Sequence, residues 1–160
     1  MYDLIVKVST DLPSDVRSAT KYAREQEAMR TSSCMALDAI TINNDMAVEK
    51  EAPLCQDTGL PNFKIYVPVG INQIEMEKAI ESAITRATKE AKLRSNAVDS
   101  LTGKNSGNNL GTGLPVIEFH QWVENYIDVK LMQKAAAVKT IAFSAHSRQS
   151  FQGLGELAVT

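Results

Sequence analysis

The sequence predicts an α+β fold, with N-terminal helices followed by a helix-packed sheet, mixed or antiparallel. Three observations predict it. Apolar residues recur at helical spacing through most of the first half. They alternate with polar residues at 63–67 and again at 126–132. Helices come first and most strands later, an order that suits α+β architecture. A chain of 160 residues is of one-domain length, and 44% hydrophobic with 22% charged residues excludes disorder along most of it.

The opening stretch, 1–10, carries Asp3 and Lys7 among short apolar pieces and does not read as a signal peptide. Asp11 and Pro13 open a predicted helix that runs to about Met29. Proline suits a first turn, and aspartate can cap it. Val16, Ala19 and Ala23 form its apolar stripe. A second predicted helix starts at Thr31 or Ser32 and runs toward Lys50, with Ala36, Ala39, Ile40 and Ala47 as its apolar face.

A turn-rich break follows at 53–61. Phe63, Ile65 and Val67 then alternate with Lys64 and Tyr66, the pattern of a half-buried strand. Asn72 and Glu75 have the spacing of a capping box. Behind them Met76, Ala79, Ile80, Ala83, Ile84, Ala87 and Ala91 make the most regular helical repeat in the chain. A polar Gly/Asn segment, 99–113, leads to two predicted strands, Val116 to Phe119 and Tyr126 to Met132. In the latter, Ile127, Val129 and Leu131 face one way, Asp128 and Lys130 the other.

Several function classes are excluded. A formal charge of −2 gives nucleic-acid binding no electrostatic support. No apolar run approaches the roughly 18 residues of a membrane-spanning helix. Two cysteines, Cys34 and Cys55, do not make a disulfide framework and point to a reducing, cytoplasmic setting. Gly103-Lys104 fails the phosphate-loop pattern, because Val98 stands where Gly is needed and Asn105 where Ser or Thr is needed. Gly111-Thr112-Gly113 fails the dinucleotide pattern at Val116. His120 and His146 lack triad or metal-ligand spacing, and His120 and Trp122 read as structural residues.

The densest chemistry lies in Cys55-Gln56-Asp57-Thr58-Gly59, on a loop between a helix and a strand. As a thiolate Cys55 is a soft-metal ligand, and Asp57 is a candidate acid/base. The alternative is a buried free cysteine beside an Asx-type turn that ends at Gly59. Arg94, at the end of the long helix, either complements the helix C-terminus or clamps a carboxylate.

Taken together, these pieces resemble the N-terminal (alpha) region of the class I, iron–sulfur fumarate hydratases and the related alpha subunits of L(+)-tartrate dehydratase. The resemblance rests on Leu12-Pro13-Ser14-Asp15-Val16, Cys55-Gln56-Asp57-Thr58-Gly59, Leu93-Arg94-Ser95-Asn96-Ala97-Val98-Asp99, Lys104-Asn105-Ser106-Gly107-Asn108-Asn109 and Gly113-Leu114-Pro115-Val116-Ile117-Glu118-Phe119. It covers about Leu12 to Lys134. It implies a hydro-lyase that adds water reversibly to a small dicarboxylate, fumarate to malate, with tartrate as the alternative substrate. It also implies a [4Fe–4S] cluster on three cysteines, with one iron left open as a Lewis acid. Cys55 matches the first of those ligands. Gln56, Asp57 and Arg94 match substrate-site positions, and Asp57 matches a catalytic one. Cys34 matches no ligand position and reads as packing. The implied partners are a beta subunit or C-terminal region and further copies of the complete protein.

The family continues beyond this length, and its other two cluster cysteines lie downstream of the matched region. This chain alone is therefore expected to be inactive. A rival reading from another class is a non-catalytic remnant, or a module that docks a beta partner. The character of the sequence also changes after Lys134, where Ala135-Ala136-Ala137 stands in place of the family's Gly-rich run. Restoring one base there permits Gly-Gly-Gly-Cys-Glu-Asn-Asn and, further on, Leu-Pro-Gly-Leu-Gly, which resemble the family's continuation. The expected division is an alpha-type region at 1–134 and an out-of-frame tail at 135–160, the alternative being a natural, divergent C-terminus. The strand ending near Met132 is then expected to leave an open sheet edge.

Overall fold

A computed structural model describes residues 1–134 and 143–150. Its elements are α1 (Tyr2–Thr10), α2 (Ser14–Gln26), α3 (Ser32–Lys50), β1 (Leu60–Pro68), α4 (Gln73–Lys89), β2 (Val116–Trp122), β3 (Tyr126–Lys134) and β4 (Phe143–Ser150). The strands form one sheet in the order β2-β1-β3-β4. β1 and β2 are parallel, while β1–β3 and β3–β4 are antiparallel. The fold is α+β, as the sequence predicts, and the sheet is mixed.

One face of the sheet carries the core. Phe63, Ile65 and Val67 of β1 and Val129 and Leu131 of β3 cluster with Met76, Ile80, Ala83, Ile84 and Ala87 of α4 and with Ile5 and Val8 of α1. Each large side chain removed from water here contributes about 1.5–3 kcal/mol. Helix α4 starts as the spacing predicts, with the Asn72 side chain accepting a hydrogen bond from the Glu75 N–H. Two members of its predicted stripe fall elsewhere. Ala79 is exposed, and Ala91 lies past the helix end at φ +57°. Helix α1 has no forecast in the sequence. Its Ile5, Val6, Val8 and Thr10 are β-branched and weak helix formers. Burial of Ile5 and Val8 against the core overrides that local preference.

The other face of the sheet is an aromatic ladder. Tyr66 stacks on His120 at 5.0 Å, Trp122 lies 5.3 Å from Tyr66, and the Trp122 indole N–H donates to the Tyr126 carbonyl. His120 and Trp122 are thus packing residues of β2.

Helices α2 and α3 form a hairpin whose contacts differ from the predicted stripes. No residue of α2 is buried, and Val16, Ala19 and Ala23 are exposed. Ion pairs dock α2 instead: Arg17 with Asp11 and Asp45, and Arg24 with Asp38. Asp11 does not cap α2, whose N-cap is Pro13 without a side-chain bond. On α3 the buried residues are Cys34, Asn44 and Ala47, whereas Ala36, Ala39 and Ile40 face solvent. Thr31 caps α3, its hydroxyl accepting from the Cys34 N–H.

Strand β4 pairs along the free side of β3, so that edge is covered rather than open. The rest of the expected tail, 135–142 and 151–160, lies outside the described residues. Among the described residues no helix is long and apolar enough to cross a membrane.

The strand directions place the site. Parallel pairing sets Asn62 of β1 opposite Val116 of β2, so the loops that enter both strands meet at one end of the sheet. Antiparallel β3 finishes there too, with Lys134 opposite Leu60.

Candidate functional site

The loop between α3 and β1 is held at several points. The Leu54 N–H donates to the Ser9 carbonyl, and the Asn43 amide donates to the Leu54 carbonyl. Lys92 reaches across to Glu51 at 2.7 Å. Within the loop, the buried Thr58 hydroxyl accepts from the Cys55 N–H and lies 3.1 Å from the Cys55 Sγ. The Thr58 N–H closes a turn onto the Cys55 carbonyl. That turn pushes Cys55 and Gln56 into solvent and leaves Asp57 half-buried. The thiol is therefore exposed, unlike the packed cysteine of the alternative reading. Cys34, by contrast, is 3% exposed and behaves as a packing residue.

The segment after α4 is zipped to this loop through the backbone. The Arg94 N–H donates to the Thr58 carbonyl at 2.8 Å, and the Asn96 side-chain amide donates to the Gln56 carbonyl at 3.0 Å. Cys55, Gln56, Asp57 and Arg94 are thereby brought to one end of the sheet by two chain segments about 40 residues apart. The Arg94 guanidinium is exposed and forms no ion pair among the described residues, and neither does the half-buried Asp57 carboxylate. An exposed guanidinium in that state matches the planar, bidentate geometry of a carboxylate.

The part that two residues play in joining the segments is not foreseen in the sequence. Gly59 lets the two segments approach closely, and Asn109 lies under the Arg94 segment with no exposed surface. The signal for both was present: a glycine ending a functional loop, and an asparagine in a run of turn residues. Further out, Asp99 accepts from the N–H and hydroxyl of Thr102 and from the Leu101 N–H, which holds its carboxyl below the usual range.

The described residues do not make a complete metal site. No group of three or more His, Cys, Asp and Glu side chains converges among them. Cys55 is an accessible single thiol, and Cys34 is buried against Asp38 on α3, its Sγ 3.9 Å from the Asp38 carboxylate. A three-cysteine cluster does not fit the residues described here.

A small mixed sheet thus brings the segments that carry a thiol, an amide, a carboxylate and a guanidinium to one end. Residues 1–155 match the family described as fumarate hydratase (Fumerase), and the chain belongs to that family. It is 52% identical over 155 residues to a protein of Geobacillus stearothermophilus provisionally named fumarate hydratase class I, covering 97% of this chain and 30% of that one. It is 34% identical over 145 residues to a protein of Methanocaldococcus jannaschii provisionally named L(+)-tartrate dehydratase subunit alpha, covering 88% and 50%. Against the L(+)-tartrate dehydratase subunit alpha of Escherichia coli K12 it is 33% identical over 111 residues, covering 68% and 36%. The chain thus spans about a third to a half of the length of these relatives.

Proposed function

We propose that this chain is the alpha region of a hydro-lyase acting on a small dicarboxylate, with malate and fumarate as the pair interconverted. The observation that carries the reading is the backbone seam joining Gln56 and Thr58 to Asn96 and Arg94. It supports a site in which Arg94 binds a substrate carboxylate bidentately, Gln56 adds a neutral hydrogen bond and Asp57 moves the proton. Malate is favoured over tartrate because identity to the fumarate hydratase relative is 52%, against 34% and 33% for the tartrate dehydratase subunits. Tartrate remains the second reading on the strength of those two relatives.

Cys55 is the one ligand this chain offers toward an iron–sulfur cluster. We assign the remaining ligands to the part of the longer relatives that this chain does not span, as a C-terminal region or a beta subunit, in a reducing cytoplasm. Isolated, the chain binds and orients but does not turn over. We likewise propose that 1–134 is the in-frame alpha-type region and that 135–160 is read out of frame, within a family match that runs to residue 155. Resequencing the gene across the Lys134 codon shows whether the shift is a reading error or a broken gene, and a soluble, monomeric, cooperatively melting chain counts against the out-of-frame reading.

The functional test is calorimetric titration of the chain with malate and with L(+)-tartrate. It is followed by anaerobic assay of the chain joined to the remaining region of the Geobacillus relative, with iron and sulfide supplied. Malate binding by the chain, and fumarate formation only by the joined protein, is the expected result. Turnover by the isolated chain, or no dicarboxylate binding at all, overturns the reading.

A further inference from the structure

We propose that Asn109 is the positioning residue that sets Arg94 for carboxylate binding, an inference that rests on the dicarboxylate reading above. Its side chain is wholly buried and makes four hydrogen bonds. The oxygen accepts from the Asn96 N–H at 2.7 Å and from the Ala97 N–H at 3.1 Å. The amide nitrogen donates to the Arg94 carbonyl at 2.7 Å and to the Thr88 hydroxyl at 3.0 Å. One amide therefore grips the backbone on both sides of Ser95 and ties it to the last turn of α4.

The geometry requires both a donor and an acceptor on a short stem. Serine has no reach to four partners, and leucine of similar volume leaves two N–H groups and a carbonyl unpaired in the interior. The backbone at residue 109 has φ +59°, a left-handed conformation that asparagine tolerates better than most residues. Asn109 precedes β2, whose parallel pairing with β1 fixes where this loop stands. The clamp thus transmits the sheet's register to Arg94 without touching the substrate. Arg94 has its own N–H on Thr58, so the clamp also fixes the distance between the guanidinium-bearing segment and the Gln56-Asp57 turn.

The test compares the full chain with Asn109→Gly, which removes the amide without straining φ, and Asn109→Asp, which is isosteric. Residue-resolved amide exchange is measured alongside malate affinity at neutral pH, and for Asn109→Asp on the acid and alkaline sides as well. In Asn109→Gly, protection of the Arg94 and Asn96 amides is expected to fall at least about tenfold, with the Ile65 and Ile84 amides unchanged. Malate affinity is expected to fall by a similar factor. Asn109→Asp is expected to recover part of the loss on the acid side, where the protonated carboxyl still accepts and its one O–H replaces one of the two donated bonds. It is expected to match the glycine variant on the alkaline side. Unchanged protection at Arg94, or equal loss at Ile65 and Ile84, overturns the proposal, as does full malate affinity in Asn109→Gly. Absence of malate binding by the unaltered chain instead overturns the dicarboxylate reading, while the exchange pattern still decides whether Asn109 holds the segment.

Discussion

Gly59 and Arg94 are pressed together so closely that a Cβ at residue 59 would lie 2.2 Å from the Arg94 carbonyl oxygen. It would also stand 3.0 Å from the Asn96 amide nitrogen. The nearest obstacle is backbone, which cannot swing aside as a side-chain end can. Gly59→Ala is therefore expected to open the seam between the two segments and to cost about 1–3 kcal/mol, the usual scale of overpacking. Urea denaturation followed at two wavelengths gives the loss. An unchanged midpoint would show that the segments do not approach this closely in solution.

Arg94→Lys keeps the charge but loses the planar fork. Malate affinity is expected to fall about 10- to 100-fold, the worth of a charge-assisted hydrogen bond. The urea midpoint should stay within error, since the guanidinium is exposed and makes no ion pair among the described residues. Equal affinity in the lysine variant would remove Arg94 from the site.

Asp57→Asn is nearly isosteric and removes only the titrating group. In the protein joined to the remaining family region, turnover is expected to drop by about 10²–10⁴, the range for losing a general acid/base. Malate binding should persist within about threefold. A variant that loses binding and turnover together would make Asp57 a binding group only.

The N-terminal helix has a pH dependence of its own. Burial and the hydrogen bond that the Tyr2 hydroxyl donates to Glu90 push the Tyr2 phenol up to about 12. The same hydroxyl and Arg86 hold Glu90 below the usual carboxylate range. A phenol raised in the folded state stabilises fully below its ordinary value near 10. That stability is lost as pH rises through about 12. Glu90 acts in the opposite sense: its contribution is present above the ordinary carboxylate value and is lost as pH falls through its lowered one. Urea midpoints of the unaltered chain and Tyr2→Phe should converge as pH rises above about 10. Parallel profiles would show that Tyr2 and Glu90 are not bonded in solution.

Gln133 is 2% exposed, and neither polar atom of its amide has a hydrogen-bond partner among the described residues. Burying such a group without a partner costs about 1–3 kcal/mol. Gln133→Met keeps the length and removes the cost, so stability is expected to rise by about 1–2 kcal/mol. A lower melting temperature would mean that the amide has a partner in solution.

Much of the fold was legible where one physical signal dominates. Phe63, Ile65 and Val67 alternate and are all fully buried, and Met76, Ile80, Ala83, Ile84 and Ala87 fall on one helix face. Helices α1, α2 and α3 were less legible because long-range contacts decide them. The β-branched α1 is helical only against the core, and α2 turns its arginines, not Val16, Ala19 and Ala23, toward α3. Cys55, Gln56, Asp57 and Arg94 could be named from motifs. Asn109 and Gly59 could not be given roles, because a buried amide with four partners and a missing Cβ acquire meaning only once residues 56–59 and 94–97 are adjacent.

The pairing of Lys134 with Leu60 carries a consequence in time. Every segment that shapes the site, from the α3–β1 loop through Arg94 and Asn109, is translated before the ribosome passes Lys134. Once Lys134 has left the ribosome, a nascent chain can close β3 onto β1 and so bring these segments together ahead of whatever emerges next. In a longer chain, later residues would then meet these segments already joined.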